Sequence, residues 1–364
     1  MRNPMRRALF LLLLVAAVLP LGAQSARDAS RPGSRSVMDA HNCYPYYEWW
    51  SDRIDRALSA GTPLAIEQDL YWYTDPKTGR SWSIVAHGAP VSGDEPTMEH
   101  YFFDRVRPIV EHALTEGNRG DWPLITLNLD LKTEEPAHLR AIWALLEKYR
   151  DWLSTAPKTA DPATPQPLTI RPILVLTGES DAQQAVFYND VPVGGKLLVF
   201  GAVHTNTNNP MAPPDVLEPE PESNYRRWWN NPWSVVEQGG QRHAGDWTSA
   251  DDERLRALVR HAHAHHLWIR FYTLDGATEK EESCNGWFHG YNFGSLAAAE
   301  IRWRAAQQAG VDYIASDQYE LLGEFLRRTE QAGRDPSPRG AVATGCAEEP
   351  AQLAPARPAV SLGR

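Results

Sequence analysis

The sequence predicts an α/β protein built on parallel strands. Short apolar, β-branched runs alternate along the chain with longer helical patterns, the order expected of strands joined by helices. The 364 residues, 42% hydrophobic and 23% charged, are enough to bury a large core. A chain of this composition is neither disordered nor collagen-like. Length alone allows two domains or one α/β barrel of this size.

The elements follow in order. Ser36 to Ala40 reads as a strand and Asp52 to Ala60 as the helix behind it. Pro63 to Leu70 is the second strand, after a turn at Gly61 and Thr62. Tyr71 to Ala86 then reads as a hairpin around Asp75 to Gly79 that carries the chain to His87. A helix over Thr97 to Thr115 precedes a strand over Leu124 to Leu131, whose Leu residues alternate with Asn and Asp, and a helix over Pro136 to Leu153 follows. Pro157 to Pro167 reads as a linker. Ile170 to Leu176 and Lys196 to Val203 are two further strands, whereas Asn206 to Gln241 shows no periodicity and must hide a sixth strand, placed at Trp233 to Val236. Asp251 to His265 is a helix, Leu267 to Leu274 a strand, Ser295 to Ala309 a helix, Val311 to Ala315 the last strand and Glu320 to Gln331 the closing helix. Seven evident strands and one inferred fit a single-domain (β/α)8 TIM barrel over residues 36–330, with the hairpin inserted after strand 2. Residues 335–364, rich in Pro, Ala and Gly, read as a poorly ordered tail.

Residues 1–23 have the form of a secretory signal peptide. A basic start leads into an apolar run from Ala8 to Leu19, and small residues precede Gln24. The run is short of the roughly 18 apolar residues of a spanning helix. The expected mature protein is therefore secreted or periplasmic, where disulfides are permitted. The segment holds three arginines and no acid, so its removal takes the net charge from −10 to −13. Such a charge disfavours nucleic acid and leaves at most peripheral contact with a membrane. A monomer is expected. Cys43, Cys284 and Cys346 allow at most one internal bridge, with Cys284 to Cys346 preferred because it would staple the tail to the body.

Alternate residues of a barrel strand point inward, and strands deliver side chains to the C-terminal rim. Glu67 and Asp69 form such a pair at the end of the second strand, and Asp130 and Lys132 at the end of the third. Three converging carboxylates repel one another unless a cation or protons compensate, and hard oxygen ligands suit Ca2+ or Mg2+. Either pair alone reads equally well as loop acids facing water; together they favour the ion. His41 ends the first strand and His87 follows the hairpin. Two imidazoles beside a metal fit paired general acid and base, with Lys132 meeting a phosphate rather than another acid, a set suited to phosphodiester cleavage.

The ordered set His41-Asn42, Glu67-x-Asp69, His87-Gly88 and Asp130-x-Lys132 resembles the phospholipase-C-like phosphodiesterase superfamily, which includes phosphatidylinositol-specific phospholipase C and the glycerophosphodiester phosphodiesterases. Residues 269–275 resemble the family's seventh strand and 310–317 its eighth, so the resemblance spans about 36–330. It implies a single (β/α)8 barrel, His41 and His87 as the acid/base pair, and Asn42, Glu67, Asp69 and Asp130 as ligands of one divalent cation. Internal attack giving a cyclic phosphate is implied as well. The set is most similar to the phosphatidylinositol-specific type. Asp130 before Leu131 and Lys132 is also similar to the sphingomyelin-cleaving phospholipase D toxins. Tyr272 stands where glycerophosphodiesterases usually carry Trp, and Asn42 where they carry Arg.

Arg270 and Tyr272 share a strand face. If Tyr272 lines the substrate pocket, Arg270 either clamps a phosphate or pairs with a core carboxylate. Several of the 14 Trp fall in expected loops, at Trp49, Trp50, Trp228, Trp229, Trp233 and Trp287 beside Phe288, where they could stack a sugar or inositol ring or dip into a lipid interface, although for any one of them plain core or loop packing is the favoured reading. The tract from His261 to His266 reads as a solvated helix end, with metal binding the lesser reading. Two other functions stay open: a secreted glycoside hydrolase using two carboxylates, and a catalytically silent barrel that binds a phospholipid or sugar headgroup.

Overall fold

The structure is a computed structural model that describes residues 30–45, 51–116, 123–281 and 289–332. The expected signal peptide and tail, Trp49, Trp50, Cys284, Trp287, Phe288 and Cys346 lie outside the described residues. Cys43 is buried and free.

Eight parallel strands close on themselves: β1 (Val37–Ala40), β2 (Leu64–Thr74), β4 (Ile125–Leu131), β6 (Ile173–Thr177), β8 (Phe200–Ala202), β9 (Arg226–Pro232), β10 (Trp268–Tyr272) and β11 (Tyr313–Ser316). β1 pairs with both β11 and β2, which completes the barrel. β3 (Ser81–Val85) is antiparallel to the end of β2, from Leu70 opposite Val85 to Thr74 opposite Ser81. β5 (Ala156–Pro157) and β7 (Lys196–Leu197) form a separate small ladder. The helices are α1 (Arg53–Ser59), α2 (Asp104–Glu116), α3 (Pro136–Lys148), α4 (Asp181–Gln184), α5 (Pro214–Leu217), α6 (Ser249–Ala264), α7 (Leu296–Ala309) and α8 (Tyr319–Ala332). Among the described residues no helix is long and apolar enough to cross a membrane.

Three expectations are corrected. The sixth barrel strand is Arg226–Pro232, and Trp233 to Val235 is a 3-10 turn just beyond it. Arg226, Trp228 and Asn230 face one side of this strand and Arg227, Trp229 and Asn231 the other, so neither face carries the apolar alternation that marks a strand. Trp228 and Trp229 thus lie in a strand, and with Trp233 they are fully buried. Lys196 to Val203 is not one strand, because Lys196 and Leu197 pair with β5 and only Phe200–Ala202 joins the barrel. The histidine tract is not merely solvated: His263 Nε2 lies 3.0 Å from Asp312, and His261 and His265 face Glu218.

Leu64, Ile66 and Leu70 of β2 and Ile125, Leu127 and Leu129 of β4 turn outward to the helices, all buried. The alternate residues look into the barrel and, beyond Ala65, are polar: Glu67 and Asp69, then Thr126, Asn128 and Asp130. Barrel interiors are usually filled by branched apolar side chains. Here a run of charge replaces them from mid-barrel to the C-terminal rim.

Candidate active site

A cavity of about 620 Å³ opens at the C-terminal rim, with His41, Glu67, His87, Asp130, Lys132 and Tyr272 among its walls. Each arrives by a local feature of the chain. His41 follows β1, where its carbonyl accepts a hydrogen bond of 2.6 Å from Tyr319 Oη. Asn42 next to it has φ of 52°, the left-handed region that Asn tolerates, and there the chain leaves the barrel wall. The hairpin brings His87 back: Ala86 donates its amide to the Asp69 carbonyl at 3.0 Å, so the chain after β3 ends beside β2. The His87 ring packs on Tyr44, with centroids 5.7 Å apart.

Three carboxylates meet as expected. One oxygen each of Glu67, Asp69 and Asp130 lies within 4.8 Å of the others, because β2 and β4 pair in register with Asp69 opposite Asp130. Glu67 accepts from Arg270 Nη2 at 2.6 Å and from Asn128 Nδ2 at 3.3 Å. Lys132 Nζ sits 2.9 Å from Asp69 and 2.7 Å from Asp130. The ammonium thus meets acids, contrary to the expectation that it would not, since residues two apart on a strand share a face. Despite that proximity neither Asp69 oxygen receives an aligned hydrogen bond, and both are buried. Burial, then the charges of Glu67 and Asp130, push the Asp69 carboxyl up to about 8. Glu67 goes the other way, to about 2: burial raises it, but Arg270, His41 and Lys132 outweigh burial.

Of the two readings of Arg270, the structure shows the pairing. Its guanidinium donates to Asp39 Oδ2 at 2.5 Å, to Glu67 and to Asn230 Oδ1 at 3.0 Å, and the residue is 2% exposed at the cavity wall. Tyr272 does line the cavity. Its ring lies parallel to His41, centroids 6.0 Å apart, and Tyr291 meets the same imidazole edge-on at 6.5 Å.

His41 stands between acids. Its Nδ1 is 2.9 Å from Asp317 Oδ1 and its Nε2 is 3.7 Å from Glu67 Oε1. Burial alone lowers the imidazole, but Glu67 and Asp317 raise it to about 9. His87 is lowered, by burial and then by Lys132. Asn42 turns its carboxamide to Asp317, at 3.2 Å, and to His41, while its backbone amide donates to Glu67 at 3.2 Å. Asn42 therefore touches the carboxylate group through its backbone.

Sequence reading missed several residues that hold the site. Asp317 is itself held by Arg53, at 3.5 Å, and its backbone amide donates to Asp275 Oδ1 at 2.7 Å. Asp39 anchors Arg270. Asp275 and Asp317 close the two segments likened to the family's last strands, so an acid at a strand's C-terminal end was the available signal. Asp39, inside a short strand, offered none.

The residues present fit a divalent cation. The donors are hard oxygens, and four carboxylates (Asp39, Glu67, Asp69 and Asp130) face two permanent cations (Arg270 and Lys132). The two oxygens of Asp69 without aligned donors belong to that surplus.

The fold and this site define a (β/α)8 barrel with an acidic and imidazole-bearing pocket at the strand C-termini. No family model matches the sequence, and no curated protein matches it significantly. Among solved structures, a glycerophosphodiester phosphodiesterase from Parabacteroides distasonis aligns over 83% of this chain and 100% of its own, at 10% identity and TM-score 0.42. A glycerophosphoryl diester phosphodiesterase from the same organism aligns over 82% and 87%, at 12% identity and TM-score 0.40. A Plasmodium falciparum HPPK-DHPS chain aligns over 84% of this chain and 50% of its own, at 7% identity and TM-score 0.45.

Proposed function

We propose that the protein is an exported phosphoric diester hydrolase that cleaves a glycerophosphodiester or phospholipid headgroup in this cavity. The observation that carries the reading is the meeting of His41 and His87 in one cavity wall with Glu67, Asp130 and Lys132, from separate segments of the chain. One imidazole takes the proton of the attacking hydroxyl, either water or a neighbouring hydroxyl of the substrate. The other gives a proton to the leaving alkoxide. Asp317 fixes His41 through Nδ1 and so aims Nε2 at the cavity.

Glu67, Asp69 and Asp130 hold one divalent cation, Ca2+ or Mg2+, to which the sequence resemblance adds Asn42. When bound, the ion supplies positive charge to a non-bridging phosphate oxygen. Lys132, at the cavity wall, adds its charge to the same phosphate. Arg270 spans Asp39 and Glu67 and sets the direction of the Glu67 carboxylate. Tyr272 and Tyr291 offer ring faces and hydroxyls to the headgroup. Export rests on the N-terminal pattern of residues 1–23.

The test is turnover on a panel of glycerophosphodiesters, phosphatidylinositol and sphingomyelin, with and without a chelator. Hydrolysis that stops on chelation and returns with Ca2+ or Mg2+ is the expected result. Cleavage of glycosides that survives chelation, or headgroup binding with no turnover under any metal, overturns the reading.

A further inference from the structure

At the end of the barrel opposite the cavity, another group of ligating side chains meets. Helix α6 runs back along the barrel and brings its C-terminal end to the start of β10. His261 and His265, four residues apart, project there on one side. Glu218, from the irregular chain between α5 and β9, faces them with its side chain fully buried. Its Oε1 accepts from the Glu220 amide at 2.5 Å. Its Oε2 lies 3.0 Å from His265 Nδ1 and 3.3 Å from His261 Nε2. The two imidazole centroids are 4.3 Å apart.

We propose that Glu218, His261 and His265 form a binding site for a divalent transition-metal ion of the Zn2+ kind, with a water in the fourth position. Ligands at about 2.0–2.1 Å from a tetrahedral ion stand about 3.3 Å from one another. The His261–Glu218 distance matches that edge, the His265–Glu218 distance of 3.0 Å is a hydrogen bond slightly shorter than it, and all three ligand atoms fall within 4.8 Å. Two nitrogens and one oxygen suit Zn2+ and disfavour Ca2+ and Mg2+, which take oxygen ligands. The carboxylate is held from behind by the Glu220 amide, so Oε2 is presented without reorganisation. His261 and His265 side chains are 15% and 27% exposed, which gives the ion and its water a way in. His261 Nε2 is also 2.6 Å from the Glu218 carbonyl. In the metal-free protein that nitrogen carries the ring proton; when the ion takes the Nε2 lone pair the ring stays a neutral imidazole with its proton on Nδ1, and the hydrogen bond to the Glu218 carbonyl is given up.

The position gives the site its purpose. The Glu222 amide donates to the His265 carbonyl at 2.9 Å, so the long chain between β8 and β9 already touches this helix end. An ion on Glu218 and the two imidazoles fastens that chain to α6, and features at the N-terminal face of a barrel serve stability rather than catalysis. His263, between the two ligands in sequence, turns to Asp312 instead.

The full chain, stripped with a chelator and returned to neutral buffer, is titrated with Zn2+, Ca2+ and Mg2+ by calorimetry and thermal denaturation. Zn2+ is expected to bind and to raise Tm, with neither Ca2+ nor Mg2+ reproducing the effect at this site. The double variant His261→Ala/His265→Ala is expected to weaken this binding at least ~100-fold. Asp130→Asn is expected to keep it, which separates this site from the cavity. Loading wild-type protein with Co2+ is expected to give the visible absorption of four-coordinate Co2+, a readout that needs no variant. An unchanged Zn2+ response in the double variant, or wild-type protein that binds Co2+ with only the octahedral aqueous spectrum, overturns the proposal.

Discussion

Glu237 with Arg302, packed outside the barrel, and the carboxylates inside it are both buried ionic groups, and they are balanced in opposite ways. Arg302 Nη2 and Nε reach the two Glu237 oxygens at 2.7 and 3.0 Å. Trp233 Nε1 adds a hydrogen bond to Glu237 at 2.6 Å, and the Gly245 carbonyl accepts from Arg302 at 2.8 Å. One cation meets one anion and the lone pairs are used. Inside the barrel, Asp39, Glu67, Asp69 and Asp130 share Arg270 and Lys132, and Asp69 has no aligned donor. The first group is complete as it stands. The second carries more negative than positive charge beside a cavity, which makes it the candidate site for an incoming cation.

Removing the two imidazoles proposed to transfer protons is expected to be the most damaging way to act on the second group. His41→Ala and His87→Ala are each expected to lower kcat by about 10²–10⁴-fold; His87→Ala should leave Tm near that of wild type, whereas His41→Ala, which strips Asp317 and Glu67 of a buried partner, should lower it. An unchanged rate in either variant ends that residue's role. A phosphodiester with a nitrophenolate leaving group sharpens the result. The loss from removing the acid shrinks with so good a leaving group, whereas the loss from removing the base does not, so the pair of substrates assigns the two parts.

Much of this arrangement could be read from sequence because barrel strands alternate. The spacing of Glu67 with Asp69 and of Asp130 with Lys132 put each pair on one face, and the register of β2 with β4 brought the acids together. What escaped reading depends on distance along the chain. Arg270 joins Asp39 and Glu67 across more than 200 residues, and no local pattern reports such a partner. β9 escaped because an interior lined with Arg226 and Asn230 removes the periodicity by which strands are found. The polar interior that makes the site possible thus also hides one of its strands.

Breaking the complete pair should cost folding rather than chemistry. Glu237→Ala leaves Arg302 buried and unpaired, and ~3–5 kcal/mol of stability is expected to be lost in denaturant titration. Protein that remains folded keeps its turnover. A loss under about 1 kcal/mol means that water reaches Arg302 and that the contrast between the two groups is weaker than the geometry indicates.

Relieving the incomplete group should do the reverse. Asp69→Asn removes a charge that Glu67 and Asp130 oppose, so in chelator above pH 8 the variant is expected to be more stable than wild type by ~1–3 kcal/mol. It should also lose the gain in Tm and the metal-stimulated hydrolysis that the proposed function expects Ca2+ or Mg2+ to give wild type. A variant less stable than wild type in chelator would show that Asp69 serves mainly as the fixed partner of Lys132.

An effect of similar size but confined to stability lies one layer further back, at Asp275. Burial, then the charge of Asp317, push this carboxyl up to about 7, while Ser316 Oγ and the Asp317 amide donate to its Oδ1 at 2.6 and 2.7 Å. A carboxyl raised in the folded state holds its proton more tightly there than in the unfolded chain. Its contribution is therefore full below the unfolded value near 4 and declines as pH rises to about 7. Asp275→Asn retains an acceptor for both hydrogen bonds and removes the charge. Equal stability at pH 4 and an advantage on the order of 2 kcal/mol at pH 8 are expected from denaturation at the two pH values. A pH-independent difference would mean that Asp275 is compensated like Glu237, and the boundary between the complete and incomplete groups would then fall inside Asp275, at the carboxylates of the cavity itself.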